Sequence, residues 1–189
     1  MRASFALLLA LIFAAAVFGD IPYPLSLAAA FVIHEGGHII AAKLLHVRLQ
    51  SVKGGFCGIR MRYDFSCVRP WQEIAVCMAG SFFGILAAGI GILLGVASTD
   101  GGLYFILSSA ALSAVNMLPV RGLDGGSILM CILETTLFPE KAWNISKRIS
   151  TVTSVLFWIA SLWIQLRIGV NLSMLLLSLY FLYLSAFES

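Results

Sequence analysis

The chain has 189 residues, of which 60% are hydrophobic and only 11% charged. That balance excludes a water-soluble globular domain, which could not hide so much apolar surface, and a net charge of +3 spread over the loops excludes a basic nucleic-acid-binding face. Apolar runs near the 18–20 residues that cross a hydrocarbon core of about 30 Å make the bilayer the main solvent, so the expected class is an all-α polytopic membrane protein with about six transmembrane helices.

The first apolar run, Phe5 to Phe18, follows Arg2 and ends among small residues. It reads as a membrane helix or as a signal peptide, and without a clean A-x-A site the retained helix is the expectation. The second run, Leu25 to Leu45, contains His34-Glu35-Gly36-Gly37-His38. Histidines four residues apart share one helical face and can both reach a single zinc ion. Glu35 follows the first of them, where a carboxylate can approach a water on the metal and take its proton. A charged side chain near the centre of a membrane helix costs about 2.5–3.5 kcal/mol on insertion scales, and metal ligation offsets such a cost. The plainer alternative is a polar cluster that bonds neighbouring helices. Gly36 and Gly37 either let helices pack closely or clear space for a substrate backbone beside the metal.

A catalytic zinc takes a third protein ligand and leaves a fourth position for water. Leu44 stands where a metzincin would place a further histidine, and His46 lies beyond it near the membrane surface, as an interfacial residue. Between Val47 and Asp64 a Gly54-Gly55 turn signal precedes Ile59, Met61 and Tyr63 alternating with Arg60 and Arg62. The pattern predicts a small cytosolic interfacial β-hairpin, which either rests on headgroups or offers an edge to which an extended substrate adds a strand.

The third segment, Ile74 to Ala97, is rich in glycine around Ala79-Gly80-Ser81, and the fourth spans Leu103 to Leu118. As a helix the fourth rises only about 24 Å, so its end is expected to stay buried. Beyond it, Pro119 breaks the helix, and Gly122, Gly125 and Gly126 permit a tight irregular path of the kind tolerated where backbone lines a polar cavity. Asp124 on that path is the candidate third ligand; its alternative role is to cap a helix starting near Ser127. Glu73 and Glu134 are weaker candidates near an aqueous boundary. Asn116 either donates to an oxyanion and holds a substrate strand, or satisfies carbonyls freed by Pro119. Arg121 either neutralises nearby charge or snorkels to headgroups.

The last two segments, Val152 to Leu166 and Val170 to Phe187, complete the set. Of the 12 lysines and arginines, only Arg167 falls on the far side. The asymmetry puts both termini, the loop after Leu45 and the segment from Pro119 to Val152 in the cytosol. Cys57, Cys67, Cys77 and Cys131 show no CxxC spacing, so free thiols are expected.

Taken together, His34-Glu35-Gly36-Gly37-His38 and the stretch from Asn116 to Gly126 resemble the site-2 protease family of intramembrane zinc metalloproteases, particularly its compact bacterial, sporulation-type members. The resemblance covers Leu25 to about Phe138. It implies that His34, His38 and Asp124 bind one zinc ion, that Glu35 activates water, and that Asn116 assists substrate binding or transition-state stabilisation. The chain departs from the family where Gly80-Ser81 replaces a frequent Gly-Pro, and where Arg121-Gly122 stands in place of a frequent second proline. It has no room for the PDZ or CBS modules of some relatives.

The expected activity is hydrolysis of a peptide bond in or beside the transmembrane segment of a membrane-tethered protein. The whole chain, 1–189, is expected to form a single domain, with a catalytic core over about 25–138 and a C-terminal helix pair over about 150–187. Its partners are a transmembrane substrate and the lipid bilayer, with no nucleic acid, and its location a bacterial plasma membrane with both termini cytosolic. Two other classes place His, Glu and Asp in a membrane: a metal transporter, and a catalytically silent protein that holds client helices.

Overall fold

A computed structural model describes residues 22–47, 49–55, 58–63, 68–168 and 172–187. The segment Phe5 to Phe18, Cys57 and Cys67 lie outside the described residues. In chain order the elements are α1 (Pro22–Leu44), β1 (Leu49–Gly55), β2 (Gly58–Tyr63), α2 (Pro70–Leu93), α3 (Asp100–Asn116), α4 (Asp124–Thr136), α5 (Pro139–Ile168) and α6 (Leu172–Phe187). A 3-10 turn, Val96–Ser98, joins α2 to α3.

Proline opens α1, α2 and α5, the position where its missing N–H would be unpaired in any case. Helix α1 ends in a Schellman arrangement: His46 takes a left-handed φ of 56°, its N–H bonds to the Lys43 carbonyl, and the Val47 N–H reaches the Ala42 carbonyl at 2.8 Å. Val47 then packs on Ala42 and on Val76 of α2. His46 is therefore the exposed turn residue of a helix end, away from the other histidines. Gln72 ties the next helix to this end, since its side-chain oxygen accepts from the Arg69 N–H at the start of α2 and its amide donates to the Leu45 carbonyl.

Strands β1 and β2 pair antiparallel, with an irregularity between Leu49 and Ser51. Gly54 pairs with Ile59 and Gly55 with Gly58, so the first strand runs through the glycines expected to turn. Extended backbone accommodates glycine at a strand end.

Helices α1, α2 and α3 pack against one another in an up-down-up arrangement. The Ser26 hydroxyl, near the start of α1, donates to the Gly101 carbonyl in the first turn of α3. Ser81 of α2 donates to the Ser113 carbonyl of α3, and Gly84 of α2 sits directly against the Ser113 hydroxyl. Small residues bring these backbones close, the usual device of helices packing in lipid.

Three described helices are long and apolar enough to cross a membrane: Pro24–Leu44, Pro70–Leu93 and Pro139–Arg167. Helix α3 has 17 residues and α6 has 16, so α3 rises only about 25 Å, as its expected shortness requires. Helix α5 begins at Pro139 rather than Val152 and has 30 residues, so its first turns extend the helix beyond the apolar run. The burial pattern inverts that of a water-soluble protein. Serines 26, 81, 109, 113, 146, 150 and 154 are buried, whereas Leu25, Val32, Phe82, Ile85, Leu156 and Trp163 are exposed. Large apolar side chains outside and small polar ones inside fit a chain solvated by lipid.

The C-terminal helix pair closes on the turn between α3 and α4. Val120 and Leu123 of that turn form a buried cluster with Phe181 and Leu184 of α6, and Phe157 of α5 packs on it. Truncating Phe181 to alanine is expected to destabilise the protein by about 2 kcal/mol. Soluble cores lose about 3–5 for such a change, but lipid solvates an apolar ring in the unfolded reference as well, so mainly packing is lost. Unfolding in detergent with increasing denaturant measures the difference.

Candidate metal centre

His34 stands about 18 Å along α1 from Pro22 and about 15 Å from Leu44, well inside the helix. One turn separates it from His38, and the two rings meet edge to face with centroids 5.0 Å apart. Their Nε2 atoms are 3.3 Å apart, and Asp124 Oδ2 lies 3.1 Å from the first and 3.2 Å from the second. Both histidines are fully buried and Asp124 is 1% exposed.

Each element aims its side chain for a local reason. The His38 Nδ1–H donates to the Val76 carbonyl of α2 at 2.7 Å. A carbonyl only accepts, so this bond holds the ring in the tautomer whose Nε2 lone pair faces Asp124. Asp124 is the first residue of α4, after Leu123 as N-cap, where the helix dipole favours a negative charge. Its carboxylate turns to the imidazoles, and α4 starts at Asp124 itself rather than near Ser127. The approach to it is as irregular as the Pro and Gly content implies. The Val120 N–H bonds to the Leu118 carbonyl around Pro119, and Gly122 has a φ of 91°. Side chains at Gly125 or Gly126 would collide with the Met117 and Val120 carbonyls, so their absence lets α4 fold back onto the turn.

The arrangement fits a tetrahedral metal. Ligand atoms around zinc with bonds of about 2.0–2.1 Å stand about 3.3 Å apart along each tetrahedral edge, and the three measured separations are 3.1, 3.2 and 3.3 Å. Two imidazole nitrogens and one carboxylate oxygen form a borderline donor set suited to zinc. Among the described residues, His34, His38 and Asp124 are the group of three able to hold an ion. Glu73 and Glu134 are not in it; Glu73 lies instead beside Glu134 and the Cys131 thiol. Cys77 and Cys131 are free thiols.

Glu35 is largely buried next to the group, and its Oε1 has no hydrogen-bond partner among the described residues. Buried carboxylate oxygens are seldom left so. Asn116, the last residue of α3, is fully buried; its amide donates to the Leu112 carbonyl one turn back, and its Oδ1 is unpartnered among the described residues. Arg121 stacks on Trp143 of α5 at 3.5 Å, and its backbone N–H donates to Ser150, which pins the turn to α5. The two glycines of the motif separate in role. A side chain at Gly37 would meet the Ala79 carbonyl and Phe83 of α2, so Gly37 permits close packing. Gly36 opens on free space along the exposed face of Val32 and Ile40, turned away from the histidines.

Among solved structures, the site-2 protease from Methanocaldococcus jannaschii superposes on this chain with a TM-score of 0.71. The aligned region covers 96% of this chain and 86% of that one at 20% sequence identity. The chain has a site-2 protease fold. No family model and no curated protein matches the sequence. Within the site-2 protease fold, the three side chains that can hold a metal come from α1 and from the start of α4, the two places the motifs marked.

The sequence reading gave no role at the centre to two contributors. The Val76 carbonyl is main chain, and no residue type announces it. Gly80 of α2 faces both ligand imidazoles; the sequence marked it only as part of a glycine-rich stretch and as the place of a frequent Gly-Pro, with nothing to join it to the histidines.

Proposed function

We propose that this chain is an intramembrane zinc metalloprotease of the site-2 protease family, hydrolysing a peptide bond in or near the transmembrane segment of a membrane-tethered protein. The observation that carries the reading is the near-equilateral group of His34, His38 and Asp124, with a Glu35 carboxylate oxygen beside it that has no hydrogen-bond partner among the described residues. Two ligands on one helix, a third from a distant turn and an adjacent base are the parts metal-assisted hydrolysis requires.

In this reading His34, His38 and Asp124 hold one zinc ion. When bound, zinc supplies a Lewis acid that polarises the scissile carbonyl and acidifies water. Glu35 takes the proton of the attacking water and returns it to the departing amide nitrogen, closing the proton balance of hydrolysis. Asn116 spends one amide hydrogen on the Leu112 carbonyl; its second is available to a substrate carbonyl. The substrate enters unwound, because a helix hides its carbonyls in its own hydrogen bonds.

The charge asymmetry supports about six spans with both termini and the β-hairpin on the cytosolic side of a bacterial plasma membrane. The 25–138 core carries the chemistry, and the C-terminal helix pair is part of the same single domain. The lipid bilayer and the substrate helix are the partners of this reading, with no role for nucleic acid.

The test uses the protein reconstituted in liposomes with a panel of single-span reporter proteins. Cleavage is expected to stop on addition of a zinc chelator and to return when zinc is restored. Cleavage indifferent to chelation, or no cleavage of any reporter by metal-loaded protein, counts against the proposal.

A further inference from the structure

We propose that Gly80 of α2 is a positioning residue of the metal centre, whose missing side chain leaves the space in which the cation sits. The inference rests on the zinc reading above and extends it to a wall of the site that carries no ligand.

A Cβ built on Gly80 would collide with His38 Nε2, lie 2.6 Å from His38 Cε1 and come within 2.8 Å of His34 Nε2. Both Nε2 atoms face Asp124 Oδ2, at 3.1 and 3.2 Å, and each other, at 3.3 Å. A carbon that close to both nitrogens stands on their metal-facing side, where zinc bonded at about 2.0–2.1 Å has to be. The other tight glycines of this core have different neighbours. Gly37 meets a main-chain carbonyl and Phe83, and Gly84 meets Ser113, so each is explained by helices packing closely. At Gly80 the nearest atoms are all ligand imidazole.

The neighbouring turn of α2 adds to this. The Val76 carbonyl that orients His38 lies one turn before Gly80, so α2 holds the ring from one position and makes room for the ion at the next. A methyl at 80 acts on the second function. In the metal-free protein His38 can swing away at the cost of its bond to Val76, and the fold survives. Metal binding needs the ring where the methyl stands.

Wild type, Gly80→Ala and Gly84→Ala, purified in detergent and stripped of metal, are titrated with zinc against a competing chelator and with cobalt while its visible spectrum is followed. Thermal unfolding of each metal-free protein is recorded in parallel. Gly80→Ala is expected to unfold within a few degrees of wild type, to lose the tetrahedral cobalt bands, and to bind zinc more than about a hundredfold more weakly, beyond the loss typical of a supporting hydrogen bond. Gly84→Ala is expected to keep wild-type affinity.

Wild-type affinity in Gly80→Ala overturns the inference, as does an equal loss in Gly84→Ala, which would trace the effect to general packing. A wild type that takes up no metal sinks the zinc reading and this inference with it, and the wild-type arm alone reveals that case. Should Gly80→Ala fail to fold, Gly80→Ala/His34→Ala/His38→Ala decides. Removal of both colliding rings is expected to restore the unfolding temperature of His34→Ala/His38→Ala, and failure to do so overturns the inference.

Discussion

Replacing Glu35 by glutamine is expected to leave zinc binding intact and to lower cleavage of a single-span reporter by about a thousandfold, within the usual range for loss of a general base. That factor corresponds to about 4 kcal/mol of barrier. The amide matches the carboxylate in shape, so it introduces no collision in a largely buried position. Glu35 Oε1 has no hydrogen-bond partner among the described residues, so the exchange breaks no bond seen there. What disappears is the capacity to accept a proton from water. Bound metal measured by atomic spectrometry, beside cleavage in liposomes, checks both halves. A metal transporter would show flux independent of this residue, and a silent helix-binding protein would behave the same with either side chain. Wild-type cleavage by Glu35→Gln with full zinc would falsify the assignment of the base.

The legible parts of the centre were those that act through side-chain identity at a fixed spacing. His34 and His38 fall on one face because a helix repeats every 3.6 residues, and the structure sets their Nε2 atoms 3.3 Å apart. Asp124 was legible because an acid after Pro119, among glycines, sits on backbone too irregular for lipid unless it lines a polar site. The parts that act through backbone or through absence were not. Val76 contributes a carbonyl, which every residue has, and Gly80 contributes empty space. His46 was read as an interfacial residue rather than a ligand; in the fold it is exposed, outside the metal group, and its left-handed φ of 56° closes a helix end, a conformation histidine tolerates better than most residues.

The helix boundaries differ for a related reason. Hydropathy marks where a helix enters lipid, and hydrogen bonding decides where it starts. Pro139 opens α5 well ahead of the apolar run, because Lys141, Lys147 and Arg148 are sound helix formers that have no need of lipid. The C-terminal pair was expected to share one domain with the rest of the chain, but hydropathy named no contact between them. In the fold, Phe181, Ser150 and Trp143 grip the turn that delivers Asp124. These contacts tie that turn to α5 and α6, and no motif spacing records them.

Asp124→Asn provides the sharpest separation between a ligand and a helix-capping residue. If the carboxylate served α4 alone, asparagine, an equally good cap, would leave both stability and zinc unchanged. The fold predicts otherwise, since Oδ2 is 3.1 Å and 3.2 Å from the two imidazole nitrogens. Neutralising the side chain removes the only anionic donor of the group and leaves zinc on two neutral nitrogens. Zinc affinity is expected to fall by more than about a thousandfold, past the 10–100-fold typical of supporting contacts, and cleavage with it, while helix content persists. His34→Ala and His38→Ala are expected to match this phenotype. Because all act through one ion, adding Glu35→Gln to Asp124→Asn should cost little more than Asp124→Asn alone, the non-additivity of residues that work as a unit. Competitive zinc titration and reporter cleavage on the single and double variants measure this. Zinc retained at wild-type affinity by Asp124→Asn would remove the third ligand, and multiplicative losses in the double variant would show that Glu35 acts without the metal.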